Sequence, residues 1–493
     1  MSVTRISLMA MLMLSISIAT SSARAANIPD TFAGDQLRQF IDAFNSGDEN
    51  VWREYVLNDP IAADSAAVFD RRFESLQFLY SDLGGMNLLE VTRHSQYAIT
   101  ALMQAVHPQG PFEFVSVSLE YDAQPPHSLL GIGVRPADNP NEELPEGDFS
   151  DASVRQFLDS YIDDQVARDR FSGAVLVAYK GKPVYTRAAG AACKRYDVPN
   201  KLDTKFNLGS MNKMFTGVAI AQLAEQGKLN FTDTVGEYLP DYPNGNVRNK
   251  VTIHQLLTHT AGLGDYFSQL WETKFWLVRT VKDYAKLFWK DSLLFEPGSE
   301  MRYSNAGPIV LGLIIEAVTG MSYYDYVSEN IYAPAGMTNT GCYEVDLPVK
   351  NLAIGYTHYS YDETMNPQQW RNNYFLHAVR GGPAGGGFST VEDLLKFANA
   401  LFSYKLLGKP YVDTVTTGKV EMDGPELKYA YLFGDHDFNG HRAVGHTGGA
   451  PGINAVLEIF VDDGYTVAVM SNYDGGAMPI ARKIRKFLTR DGS

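Results

Sequence analysis

Lys205-Phe206-Asn207-Leu208-Gly209-Ser210-Met211-Asn212-Lys213 sets a short strand-like run against the start of a helix. Met214, Val218, Ala221 and Leu223 supply an apolar side to that helix, and Gly227 stands where it would end. Positions three apart on a helix face the same way, with Cβ atoms about 5–6 Å apart. A lysine at position 213 can therefore reach the hydroxyl of Ser210. A lysine whose pKa is depressed by burial or nearby cations can take the proton of that hydroxyl. The free N–H groups at the helix start favour a developing oxyanion. A serine cap followed by a solvated lysine has the same spelling, so the quartet needs company before it means chemistry.

Two further pieces supply it. Tyr303-Ser304-Asn305 follows Phe295-Glu296-Pro297-Gly298 and precedes the strongly apolar helical stretch Pro308–Val318. A phenol can relay a proton to a leaving group, and an amide can hydrogen-bond a substrate carbonyl or hold the lysine. Tyr242-Pro243-Asn244 has the same pattern, but it lies in a Pro/Asn/Gly-rich turn with no helix after it. The third piece, Gly445-His446-Thr447-Gly448-Gly449, sits on a strand after the Asn439-Gly440 turn. A glycine-bounded strand edge lets a substrate backbone approach and pair as an added strand. The Gly449 N–H is a candidate second oxyanion donor, and His446 adds a titratable group.

In this order the three pieces resemble the motifs of the serine β-lactamase and penicillin-binding superfamily, specifically its class C-like branch with esterases and D-amino peptidases. Further stretches look like the same family: Leu256-Leu257-Thr258-His259-Thr260-Ala261-Gly262-Leu263, Phe295-Glu296-Pro297-Gly298, Pro334-Ala335-Gly336-Met337 and Pro383-Ala384-Gly385-Gly386-Gly387-Phe388-Ser389-Thr390. The resemblance covers about residues 155–490. It implies Ser210, Lys213 and Tyr303 as catalytic residues, and Asn305, His446, Thr447, Gly448 and Gly449 as substrate-binding or oxyanion residues. It implies an acyl-enzyme on an ester, amide or lactam, with no metal and no organic cofactor. His446 stands where β-lactamases and most penicillin-binding proteins carry lysine. A neutral imidazole holds a substrate carboxylate less firmly than an ammonium, which argues against efficient β-lactam hydrolysis. A family-shaped binding or regulatory module, catalytically weak, is the alternative.

The rest of the chain reads outward from this region. Strands are expected at Gly173–Tyr179, Pro183–Ala188, 427–435, 441–446, Asn454–Phe460 and Tyr465–Ser471, with helices at Val154–Arg168, through 210–400, and at Pro479–Thr489. That order predicts an α/β-type two-subdomain β-lactamase/transpeptidase-like fold over residues 151–491: an antiparallel sheet flanked by helices and closed by the two ends of the segment, plus a helical subdomain, with a cleft between. Residues 28–138 read as a small α+β domain, two helices followed by a four-strand meander, loosely resembling the nuclear-transport-factor-2-like (cystatin-like) fold. Residues 139–150, Pro- and acid-rich, read as a linker with almost nothing to bury. Arg5, the apolar run Ile6–Ile18 and Ala23-Arg24-Ala25 spell a secretory signal peptide over 1–25. The expectation is an exported protein, periplasmic or secreted, with no membrane span after processing.

Composition narrows the partners. The 493 residues are 45% hydrophobic and 20% charged, ordinary for globular domains. A net charge of −15 repels phosphate backbones, so nucleic acid is not expected as a partner. A small-molecule or peptide substrate is, with a protein contact through the N-terminal domain left open. The chain holds no G-x-S-x-G and no H-E-x-x-H, which sets aside an α/β-hydrolase and that type of zinc peptidase. Cys193 and Cys342 are too few for a disulfide scaffold, and the sequence leaves their pairing open. His254 and His259 read as core packing beside an apolar helix, and Ser389-x-x-Glu392 as a capping box beside cleft-lining glycines. Two aromatic clusters are candidates to line the cleft: Tyr266, Phe267, Trp271, Phe275 and Trp276, and then Tyr359, Tyr361, Trp370, Tyr374 and Phe375.

Overall fold

The computed structural model describes residues 27–108, 113–267, 275–360, 366, 369–422 and 426–490. The segment read as a signal peptide, Trp271 and Tyr361 lie outside them. The chain divides into two compact units at Asn139/Pro140.

In the N-terminal unit, helix Phe32–Asn45 starts at Thr31, whose side chain accepts from Gly34 N, and helix Ala66–Leu83 ends on Gly84 in the left-handed region (φ 58°). The strands Met86–His94, Ala98–Ala105, Phe114–Tyr121 and Leu129–Pro136 pair in sequence order as an antiparallel meander. Alternate residues of the two central strands, such as Met103, Val117 and Leu119, pack with Leu37, Phe40 and Phe44 in one core. Two short helices, Glu49–Leu57 and Pro60–Asp64, were not expected. Asp48 and Asp59 cap them, and Pro60 starts the second, but each is too brief for a clear 3.6-residue pattern.

The C-terminal unit is built on an eight-stranded antiparallel sheet. Its order is Val420–Glu421, Leu427–Tyr429, Gly434–Phe438, His441–Ala450, Ile453–Phe460, Tyr465–Ser471, Gly173–Tyr179 and Lys182–Ala189. The last part of the segment thus pairs with the first, Val467 opposite Val177, and closes the sheet as expected. Successive side chains point to opposite faces. Val175, Val177, Val467 and Val469 pack with Leu158 and Ile162 of helix Ala152–Ala167 and Ile480 and Ile484 of helix Ala477–Leu488. Ala174, Leu176, Ala468 and Met470 face the other way, into a larger core with Phe215, Val218, Ile309 and Phe397 of the helical region. Among the described residues no single helix is long and apolar enough to cross a membrane.

Four expectations need correction. The single strand over 427–435 is a hairpin: Leu427–Tyr429 pairs with Gly434–Phe438, and Leu432 takes φ 62° at the turn. Ala430-Tyr431-Leu432-Phe433 is wholly buried, so the turn carries no polar signal. The helix Asn212–Glu225 has no solvent face: every residue from Asn212 to Ala224 is buried, the polar Asn212, Lys213, Thr216 and Gln222 included. The 139–150 stretch is not a free linker beyond Asn139. Phe149 is buried against Phe487 with ring centroids 5.0 Å apart, Glu142 pairs with Lys483, and Arg490 donates to the carbonyls of Pro145 and Gly147. The helix Val391–Phe402 is capped by Thr390, which accepts from Asp393 N, one residue later than the expected Ser389. Ser389 is held in a short strand pair with Phe206 and bonded to Thr340.

Candidate active site

Ser210 lies on a single 3-10 turn, Gly209–Met211, that runs directly into the buried helix Asn212–Glu225. The turn is pressed between two backbones. A Cβ on Gly448 would stand 1.9 Å from the Leu208 carbonyl oxygen, and one on Gly385 would stand 2.9 Å from that of Gly209. Gly209 itself has φ 50°, and a Cβ there would meet the Gly449 nitrogen at 2.9 Å. Only glycines allow strand, loop and turn to meet this closely. The consequence is that the Gly449 amide stands beside the serine turn.

Lys213 is fully buried, and its ammonium position is fixed by three oxygens. Nζ lies 3.0 Å from Ser210 Oγ, 2.7 Å from Asn305 Oδ1 and 2.7 Å from the Ala384 carbonyl. Burial depresses its pKa to about 7, against an opposing pull from Asp265. A large fraction is therefore the free amine near neutrality, able to accept the serine proton. Tyr303 stands on the other side of the serine, with Lys213 Nζ 4.8 Å from its ring centroid. By area its ring is 39% exposed, but its hydroxyl is crowded by protein atoms. That crowding raises its pKa well above the usual phenol value, while a hydrogen bond with Ser210 lowers it by less. Tyr303 thus remains a proton donor across the working pH range.

Asn305 was expected to bond a substrate carbonyl or to hold the lysine, and it holds the lysine. Both ends of its amide are spent on protein: Oδ1 accepts from Lys213, and Nδ2 donates to Asp265 Oδ2 at 2.6 Å. Asp265 also accepts from the amides of Tyr266 and Phe267. The carboxylate, the amide and the amine form one line behind the serine.

His446 was expected as a titratable charge. It is buried, its pKa is pushed down to about 3 by burial and by Lys213, and both ring nitrogens are occupied. Nδ1 lies 2.5 Å from the Thr447 carbonyl, so it carries the proton, and Nε2 accepts from the Tyr429 hydroxyl at 2.9 Å. Tyr429 can then only accept from His259 Nε2–H, at 3.0 Å. His259 Nδ1, left without a proton, accepts from the Ser304 amide at 3.3 Å. The two end groups, a backbone N–H and a backbone C=O, fix every tautomer between them. This directed chain ties the Tyr303-Ser304-Asn305 segment to the His446-Thr447-Gly448 strand. His259 holds φ 59°, an unusual backbone state for a non-glycine residue, with its carbonyl accepting from Arg302 N. Burial, Lys213 and His446 hold its pKa well below the normal histidine range.

Ser210, Lys213, Tyr303, Asn305, His446 and the Thr447–Gly449 edge are thus brought to one place. Asp265, Tyr429 and Asn212 were missed. Asn212, inside the quartet, accepts from Gly387 N at 3.0 Å and donates to Cys342 Sγ at 3.3 Å, which fastens the Gly381–Gly387 loop to the helix. Cys193 and Cys342 are both free thiols. Of the aromatic clusters, Tyr266, Phe267 and Tyr374 line the cavity beside Ser210. Phe275 joins the core, and Trp370 packs on Tyr473 away from the serine.

A buried amine on a serine hydroxyl, a phenol beside both and the Gly449 amide next to the serine turn make the arrangement of a serine hydrolase. The beta-lactamase family profile matches residues 158–489, and the chain belongs to that family. Penicillin-binding protein 4* of Bacillus subtilis is 30% identical over 332 residues, covering 64% of this chain and 72% of that protein. The solved penicillin-binding protein of Bacillus halodurans is also 30% identical, with a TM-score of 0.61 over 67% of this chain and 98% of that one. A D-stereospecific amidohydrolase of Streptomyces sp. has 25% identity and a TM-score of 0.57 over 69% of this chain and 99% of that one. The expected β-lactamase/transpeptidase-like fold is borne out.

Proposed function

We propose that the protein is an exported acyl-enzyme hydrolase acting on ester or amide substrates. The observation that carries this is the fully buried Lys213 Nζ, 3.0 Å from Ser210 Oγ, with burial depressing its pKa to about 7. Lys213 takes the hydroxyl proton as Oγ bonds to the substrate carbonyl carbon. The Ser210 and Gly449 N–H groups stabilise the oxyanion. Tyr303 gives its proton to the leaving group as that bond breaks, and the Lys213 ammonium restores it. Water then enters where the leaving group stood and loses its proton to the same pair as it bonds to the acyl carbon; the Ser210 Oγ–acyl bond breaks, Oγ takes that proton from Lys213, and the acid leaves. Arg5, Ile6–Ile18 and Ala23-Arg24-Ala25 support export. The neutral His446 supports poor turnover of β-lactams, because it offers no cation to their carboxylate.

Intact-mass analysis after exposure to a fluorophosphonate and to a penicillin tests the reading. An adduct at Ser210, absent in Ser210→Ala, is the expected result. No adduct with either reagent, in folded protein, refutes the enzyme and leaves a binding module.

A further inference from the structure

Two cavities open on Ser210, and they differ in chemistry. The smaller is lined by Tyr303, Tyr429, the His446–Thr447 edge, His436 and Glu458, whose carboxylate pairs with Arg485. The larger, about 300 Å³, runs past Asn305 and the Gly385–Gly386 backbone to Val345, Leu347, Leu352 and Ile354. Ser210 and Gly449 line both, so the carbonyl under attack sits between them. Tyr303, the proton donor to the leaving group, faces only the smaller one. The leaving group therefore occupies the small cavity and the acyl portion the large one.

No described residue lining the large cavity carries a charged side chain. Its titratable members are three tyrosines and His377, a histidine held neutral by burial, with a pKa near 4 and Nε2–H donating to the Pro451 carbonyl. Phe267, Leu347 and Tyr374 line its wall while 43%, 57% and 46% exposed. Single exposed apolar side chains are ordinary, but three on one cavity beside a nucleophile mark an apolar ligand. Asp265, bonded to Asn305 on the cavity wall, already accepts three N–H groups and offers no cation to a substrate carboxylate. At about 30 Å³ per non-hydrogen atom, the cavity holds roughly ten such atoms.

Resting on the hydrolase reading above, we propose that the large cavity is an acyl pocket for uncharged, apolar acyl groups of intermediate length, and that it rejects anionic ones. The substrate class is a neutral ester or amide of a medium-chain or aryl-alkyl acid.

The test is kcat/KM for p-nitrophenyl esters from acetyl to dodecanoyl, with the p-nitrophenyl hemisuccinate as the anionic counterpart of pentanoyl. Each methylene buried in the pocket raises kcat/KM by about fourfold, with the rise ending between hexanoyl and decanoyl. The hemisuccinate falls at least a hundredfold below pentanoyl. Leu347→Lys, at an exposed position that tolerates exchange, lowers the octanoyl-to-acetyl ratio and raises the hemisuccinate-to-pentanoyl ratio. A series in which acetyl is best, or in which the hemisuccinate matches pentanoyl, overturns the pocket assignment while the Ser210 adduct still forms. If no ester acylates Ser210, both the pocket and the hydrolase reading fall.

Discussion

Asp265→Asn isolates one charge in the line behind Ser210. The Asp265 carboxylate favours the ammonium form of Lys213, against the burial that depresses it. Two hydrogen bonds across one amide separate the charges by roughly 7 Å. At an effective dielectric of about 20 their attraction is ~2.4 kcal/mol, or nearly two pH units. Asp265 is exposed, so solvent and salt screen that figure to about one unit. The sign follows from the base being the free amine. Activity rises with pH as Lys213 loses its proton, near pH 7 in the wild type. Without the carboxylate the proton leaves more readily, so the acid limb of kcat/KM moves down, toward about pH 6. The asparagine can still present an oxygen to Asn305 Nδ2, which keeps the geometry. Stopped-flow or initial-rate profiles from pH 5 to 9 with a neutral ester, at two ionic strengths, read the shift. A limb that stays in place or moves up, in a variant with wild-type unfolding behaviour, refutes Lys213 as the titrating base.

Other outcomes follow from the same geometry. Tyr303→Phe keeps the ring and removes the donor, and kcat/KM falls about hundredfold to ten-thousandfold; esters with strongly acidic leaving groups lose least, which a leaving-group series reads out. Tyr429→Phe leaves His259 Nε2–H and His446 Nε2 without partners inside the protein, destabilising the fold by about 1–3 kcal/mol per orphaned group. Nitrogen NMR of the imidazoles then shows His446 keeping its Nδ1–H on the Thr447 carbonyl while its Nε2 resonance moves to that of an imidazole nitrogen without a donor. Phe149→Ala opens a hole against Phe487, and at about 3–5 kcal/mol for a buried phenylalanine it shifts the urea midpoint of the C-terminal unit. An unchanged midpoint means that residues 140–149 are not part of that core.

The sheet and the catalytic segments were legible because each has a local signature. The short apolar runs Gly173–Tyr179 and Tyr465–Ser471, the Asn439-Gly440 turn with φ 57° and 86°, and the glycine-bounded His446–Gly449 edge all follow from neighbours in sequence. The buried turn after Tyr429 was not legible, because turn chemistry is normally read from polar residues and this one is Ala-Tyr-Leu-Phe. Phe149 was one aromatic among prolines and acids, and only the distant helix Ala477–Leu488 gives it a place. Asp265 and Tyr429 carry no motif of their own. Asp265 matters through Asn305, forty residues on, and Tyr429 through histidines 170 and 17 residues away. His259 was read as core, and it is buried; its second role is visible only when Tyr429 and Ser304 are set beside it.

That buried chain also accounts for what histidine does at position 446. A lysine there would need a counter-charge or water for its ammonium, since an unpaired buried cation is costly. His446 instead has a carbonyl on one nitrogen and a phenol on the other, and neither position accommodates a second proton without losing a bond. Protonating Nε2 would set it against the O–H of Tyr429. Reversing that hydroxyl would in turn set it against the Nε2–H of His259. His259 would then have to move its proton to Nδ1, which faces the Ser304 N–H. Every step meets a donor, so the whole chain resists a positive charge on His446, beyond the desolvation of one ring. Bond direction thus keeps His446 neutral on the leaving-group side, where the one charged side chain among the described lining residues is Glu458, paired with Arg485, and the acyl side has a wall without charges. Neither half offers a free cation to a substrate carboxylate, since Lys213 is already committed to the serine.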